Sequence, residues 1–193
     1  MRLALGLAAI AALGMTTACG RGDDADNGAP GQPAQAEKAA GGQTIAAGLD
    51  KNGRFFQAAR AAGLDGTLSG PGPYTVLVPN DAAFGKVQGA LGDPANPANR
   101  AELTRVLTYH ILPGTVLAED LGKAVDNGKG KALIGTMNGE TLTAAKEGGK
   151  VVLSDGSGAK ATIVEPDQQR SNGVVQVIDA VLTPSAQSGP AQQ

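Results

Sequence analysis

The spacing of apolar residues changes partway along this chain. In the earlier part it is helical. Phe55, Phe56, Ala59 and Leu64 recur at three to five and predict a helix over residues 53–64, with Gly63 suited to its C-cap. Leu103, Val106 and Leu107 predict a second over residues 100–107, capped by Asn99 and with Glu102 outward. Shorter helices are expected over residues 44–49 and 81–88, and a helical turn over 116–122. The later part reads as strands. Residues 133–137 and 141–144 flank Asn138-Gly139-Glu140, a hairpin signal. Further short apolar runs fall at residues 150–153, 161–164, 174–178 and 181–182. Helices first and strands second predict an α+β domain rather than a wound parallel sheet.

One stretch, residues 74–84, joins the two patterns. Residues 75–78 have the β-branched and apolar composition of a buried strand. Pro79 ends it, because proline has no N–H for a ladder. Asn80 can accept a bond from a free N–H of the next turn, and Asp81 suits the positive end of that helix dipole. Phe84 is expected to turn back under the strand. Residues 108–114, Thr-Tyr-His-Ile-Leu-Pro-Gly, read as another strand running into a turn.

Outside the domain, residues 1–18 read as an export signal: Arg2, then an apolar stretch over residues 3–13, too short to span a membrane. Met15-Thr16-Thr17-Ala18-Cys19 resembles a bacterial lipobox, with Thr16 where leucine is usual. Cys19 is the only cysteine, so no intramolecular disulfide can form, and lipidation is its expected use. Several acyl chains would give stable anchoring. Residues 20–42 are a Gly-, Ala-, Pro- and Gln-rich linker. Such a linker spans roughly 25–30 Å, enough to clear lipid headgroups. Its Arg21-Gly22-Asp23 lies beside the anchor, where a large receptor could hardly reach. Gly20 rather than Asp after the cysteine resembles the pattern of outer-membrane sorting in some bacteria. The domain is expected over residues 43–184, and residues 185–193 form a polar tail expected to be disordered.

Charge excludes one class of partner. Residues 43–184 carry 13 Lys and Arg against 14 Asp and Glu, which leaves −1, and the basic residues are scattered. That is no footprint for nucleic acid, and with no Trp there is little to stack bases on. His110 is the only histidine, so a His-pair metal site is excluded, and no EF-hand spacing occurs. There is no Gly-x-Ser-x-Gly elbow, and residues 122–129 mimic a P-loop badly. No cofactor or catalytic residue is expected. His110 and Tyr109 are read either as hydrogen-bonded structural residues or as partner contacts.

Three stretches together resemble the fasciclin domain family. They are residues 75–84, the Tyr109-His110 stretch over 107–114, and residues 171–182, Ser-Asn-Gly-Val-Val-Gln-Val-Ile-Asp-Ala-Val-Leu. In this resemblance Pro79, Asn80, Asp81, Phe84, Asn172 and Gly173 are structural motif residues. Gln176 stands where the family often has His. The resemblance, which extends to bacterial single-domain lipoproteins, implies a β-wedge of about seven strands with packed helices. It also implies adhesion or protein binding without catalysis. In animal relatives binding is associated with the Tyr-His region and a Glu-Pro-Asp-Ile-type loop. Glu165-Pro166-Asp167 matches that loop, with Gln168 and Gln169 replacing its apolar residues. Tyr109, His110, Glu165, Pro166 and Asp167 are therefore the candidate partner-binding residues, and Asp167 is expected to be exposed. The expectation is a lipid-anchored envelope module for an unnamed envelope or extracellular macromolecule. The alternative is an envelope protein that binds a small apolar or cofactor-like ligand.

Overall fold

Strand β1 (Tyr74–Pro79) is apolar without alternation, and its surroundings explain why. Val76 packs into a layer of helices, while Leu77 packs into the inside of a curved sheet, and both are fully buried. Successive strand residues point to opposite faces, so a strand covered on both sides needs this composition. Each such side chain contributes about 1.5–3 kcal/mol by leaving water. The computed structural model describes residues 42–91, 93 and 96–185. The expected signal, Cys19, the linker up to residue 41 and residues 186–193 lie outside the described residues.

The helical layer combines α1 (Ile45–Gly48), α2 (Arg54–Ala62), α3 (Asp65–Ser69), α4 (Asp81–Leu91) and α5 (Arg100–Tyr109). Ile45, Phe55, Phe56, Leu68, Phe84 and Leu103 are among its buried members, packed with Val76. The second core lies inside the sheet. There Leu77 and Tyr109 meet Leu121 and Val125 of α6 (Ala118–Asn127). The remaining strands are β2 (Ile111–Pro113), β3 (Ala132–Gly135), β4 (Thr141–Glu147), β5 (Lys150–Ser154), β6 (Lys160–Arg170) and β7 (Gly173–Ile178). Among the described residues they form a seven-stranded sheet in the order β2-β1-β7-β6-β5-β4-β3. The β1–β7 pair is parallel and the others are antiparallel. The sheet curls until its ends meet, and the Met137 N–H donates to the Ile111 carbonyl at 2.8 Å.

Three expectations are corrected. The residues around Tyr109 are helical, because α5 continues to Tyr109 and strand begins only at Ile111. The aromatic and β-branched composition there suits either state, and the His110 N–H closing on the Leu107 carbonyl at 3.0 Å completes the helical turn. Residues 181–182 form no strand. The Leu182 and Thr183 N–H groups are held by side chains instead of a ladder, as described below. Ser185 is also fixed, donating to Glu140 Oε2 at 2.8 Å and accepting from Arg105 at 2.9 Å. Beyond these, α3 was missed, and α4 and α6 run longer than expected.

Candidate functional site

The residues expected to matter divide into a frame and a surface. The frame begins at Asn80, whose Oδ1 accepts from the Ala83 N–H at 2.8 Å, the expected cap of α4. Asp81 also accepts from the Arg54 N–H at 3.0 Å, at the start of α2. Gly53, the N-cap of α2, has no side chain to do this. Pro79 pairs with Ile178 at the far end of the parallel β1–β7 ladder, and Tyr74 pairs with Gly173 at its beginning. Two of the three sequence motifs are thus neighbouring strands. Asn172 is buried and uses its whole amide: Oδ1 accepts from Ile45 N–H at 2.7 Å, and Nδ2 donates to the carbonyls of Leu68 and Gly70. Gly173 has φ 150°, and a Cβ there would lie 1.9 Å from the Tyr74 carbonyl oxygen, so no other residue fits this crossing.

Tyr109 and His110 belong to the frame: of the two roles expected for them, hydrogen-bonded structural residue or partner contact, burial fits the first and corrects the second. Their exposures are 0% and 1%, so neither side chain reaches the surface. The Tyr109 hydroxyl donates to the Thr141 carbonyl at 3.2 Å. Burial pushes its pKa up to about 12, aided by the negative charges of Asp155 and Glu140. His110 Nδ1 lies 2.8 Å from the Val106 carbonyl, and Nε2 lies 3.2 Å from the Leu182 N–H. A carbonyl needs a donor and an N–H needs an acceptor, so the ring is neutral with its proton on Nδ1. Burial pulls its pKa down to about 4, against the opposing effects of the Val106 carbonyl and Asp155.

Asp155 is the other buried anchor of the C-terminal segment. Oδ1 accepts from the Ser157 hydroxyl and from the Ser157 and Ala159 N–H groups, and Oδ2 accepts from the Thr183 N–H at 2.9 Å. Burial pushes this carboxyl up, but the hydrogen bonds together outweigh it and hold the group below its ordinary value.

The surface lies on β6. Its pairing with β7 shifts register around Glu165 and again before Gln168. Pro166 has no N–H, and Asp167 adopts φ 58°, so the ladder breaks there and the strand bulges. Val164, Glu165 and Pro166 are exposed. Asp167 is half-buried, which corrects the expectation of a free charge in a loop. Its Oδ1 accepts from the Ala118 N–H at 2.9 Å and from Gln176 Nε2 at 2.7 Å, and its own N–H donates to Gln176 Oε1 at 2.9 Å. Gln176 Nε2 also donates to the Val116 carbonyl at 3.1 Å. The glutamine that departs from the family pattern therefore joins the bulge to the start of α6. Beside the bulge, α6 and the strands β4–β6 enclose an open cleft of ≈ 550 Å³. Its lysines and its Val164 were not singled out in the sequence, since they come from three separate stretches. The structure brings Glu165 and Pro166 to this surface but leaves Tyr109 and His110 inside.

The fasciclin domain model matches residues 52–184. The chain belongs to the fasciclin domain family, an adhesion-type family that is not enzymatic. It is 35% identical over 141 residues to protein sll1483 of Synechocystis, covering 72% of this chain and 71% of that protein. It is 30% identical to the transforming growth factor-beta-induced protein ig-h3 of Sus scrofa, over 67% of this chain and 17% of that much longer protein. The fold resembles a FAS1 domain pair from the insect cell adhesion molecule fasciclin I, with TM-score 0.62 and 17% identity. That match covers 72% of this chain and 50% of the other.

Proposed function

We propose that this protein is an exported, lipid-anchored module of the cell envelope. Its domain holds a macromolecular partner and performs no catalysis. Cys19 carries the anchor, and residues 20–42 hold the domain clear of the membrane. The membrane is the outer one, a reading supported by the resemblance of Gly20 to outer-membrane sorting patterns. The family's adhesion character supports the binding role. The observation that carries it is the β6 bulge: Val164, Glu165 and Pro166 are presented outward while Asp167 is tied down behind them. Such a surface is rigid before a partner arrives, which lowers the ordering cost of binding. His110 supports the non-catalytic reading, because both ring nitrogens are already occupied.

The test is capture of envelope and matrix components by wild type and by Glu165→Lys. Glu165 is exposed and its carboxylate bonds only to Gln168 among the described residues, so the melting temperature should hold while capture falls. Equal capture would remove the bulge from the binding surface. Cys19→Ser, fractionated in parallel, should leave an uncleaved precursor or a soluble exported form. A processed variant still on membranes would end the lipoprotein reading.

A further inference from the structure

We propose that the cleft between α6 and strands β4–β6 binds a small amphiphile with one carboxylate on an apolar body, of the long-chain fatty acid type. Its volume, ≈ 550 Å³, is that of a small-ligand site, typically about 300–1,000 Å³. The floor is apolar, formed by Val151, Ile163, Val164 and Pro166. Val164 is 41% exposed, one of few large apolar side chains so open among the described residues. An apolar body lying in the cleft would take it and Pro166 out of water.

The rim specifies the head group. Lys123 pairs with Glu119 at 2.7 Å, and Lys146 pairs with Asp126 at 2.5 Å. Lys150 also lines the cleft, and no ion pair or hydrogen bond engages its ammonium among the described residues. Three lysines against two carboxylates leave one positive charge on the lining. A single carboxylate balances it, and a cationic head would add to it. Lysine can lay its stem along the apolar floor and keep its ammonium at the water edge. An exposed ion pair is weak, so apolar contact supplies the affinity and Lys150 supplies the choice of head group. The walls are preformed. Asp167 holds the start of α6 beside Pro166, and the Lys146 stem passes over Gly122, where a Cβ would lie only 3.1 Å from Lys146 Cε.

The experiment titrates the full-length protein with 11-(dansylamino)undecanoic acid below its micelle threshold, then competes with dodecanoic acid, dodecanol or dodecylamine. We expect saturable binding, displacement by dodecanoic acid, about threefold to fivefold weaker displacement by dodecanol and weaker still by dodecylamine. Lys150→Glu should weaken binding at least tenfold and Val164→Asp should abolish it. Leu133→Asp, an exposed leucine of β3 that does not line the cleft, should leave it unchanged. Absence of saturable binding overturns the proposal. So does dodecanol competing as well as the acid, or unchanged binding in Lys150→Glu or Val164→Asp. If either variant lowers the melting temperature, Lys150→Ala and Val164→Ser replace them under the same criteria. The capture assay with Glu165→Lys reads the macromolecular surface separately, so either reading can fail alone.

Discussion

Helices α4 and α6 solve the same problem in different ways. Each begins with N–H groups that have no partner within the helix. In α4 the solution is local: Asn80 bonds the Ala83 N–H three residues on. In α6 the N-cap position is Leu117, which has nothing to offer, and the Ala118 N–H is taken by Asp167, 49 residues away. α2 follows the second pattern, with Asp81 serving Arg54 across 27 residues. A local cap is present whenever its segment is helical. A remote cap makes the start of the helix conditional on the packed sheet. Short helices are marginal on their own, so α6 depends on β6 and β7 being in place. Since α6 is one wall of the cleft, the geometry of the surface depends on the same bond.

The largest expected effect extends this contrast to His110, which ties α5 to Leu182, 72 residues away. Its folded pKa, about 4, lies below its ordinary 6.5, so between these values the unfolded chain binds more protons. The stabilisation is complete above pH 6.5 and is lost as pH falls toward 4. The slope is up to about 1.4 kcal/mol per pH unit, for a total on the order of 3 kcal/mol. Urea midpoints across this range should slope in wild type and lose that component in His110→Gln. Parallel slopes would show that the imidazole is not held neutral.

Next comes the remote cap itself. Asp167→Ala removes an acceptor from Ala118 and from Gln176, and should cost about 1–3 kcal/mol. Asp167→Asn, which keeps an oxygen, should recover most of this. Amide exchange at Ala118 should quicken in the alanine variant. A loss below about 0.5 kcal/mol, the level of ordinary surface changes, would mean that the bulge does not support α6. The smallest effect is expected at the local cap, where Asn80→Ala should cost about 0.5–2 kcal/mol. If Asn80→Ala proves the more damaging, the distinction between the two kinds of cap fails.

Sequence pattern alone was enough for the family, the α+β class, the strand–cap–helix corner at residues 74–84, the Asn138-Gly139 hairpin and Gly63 as a C-cap, whose φ is 80°. These depend on neighbours within a few positions, where residue chemistry and backbone conformation are directly linked. The sequence did not determine that Tyr109 and His110 are buried, since residues between helix and strand look alike whichever way they point. Nor did it show Asp167 as a structural brace, because Ala118 and Gln176 become its neighbours only once β6, β7 and α6 have packed. The surface beside it was hidden for the same reason. Lys123, Lys146, Lys150 and Val164 lie on four separate elements, and only the curvature of the sheet brings them around one cleft.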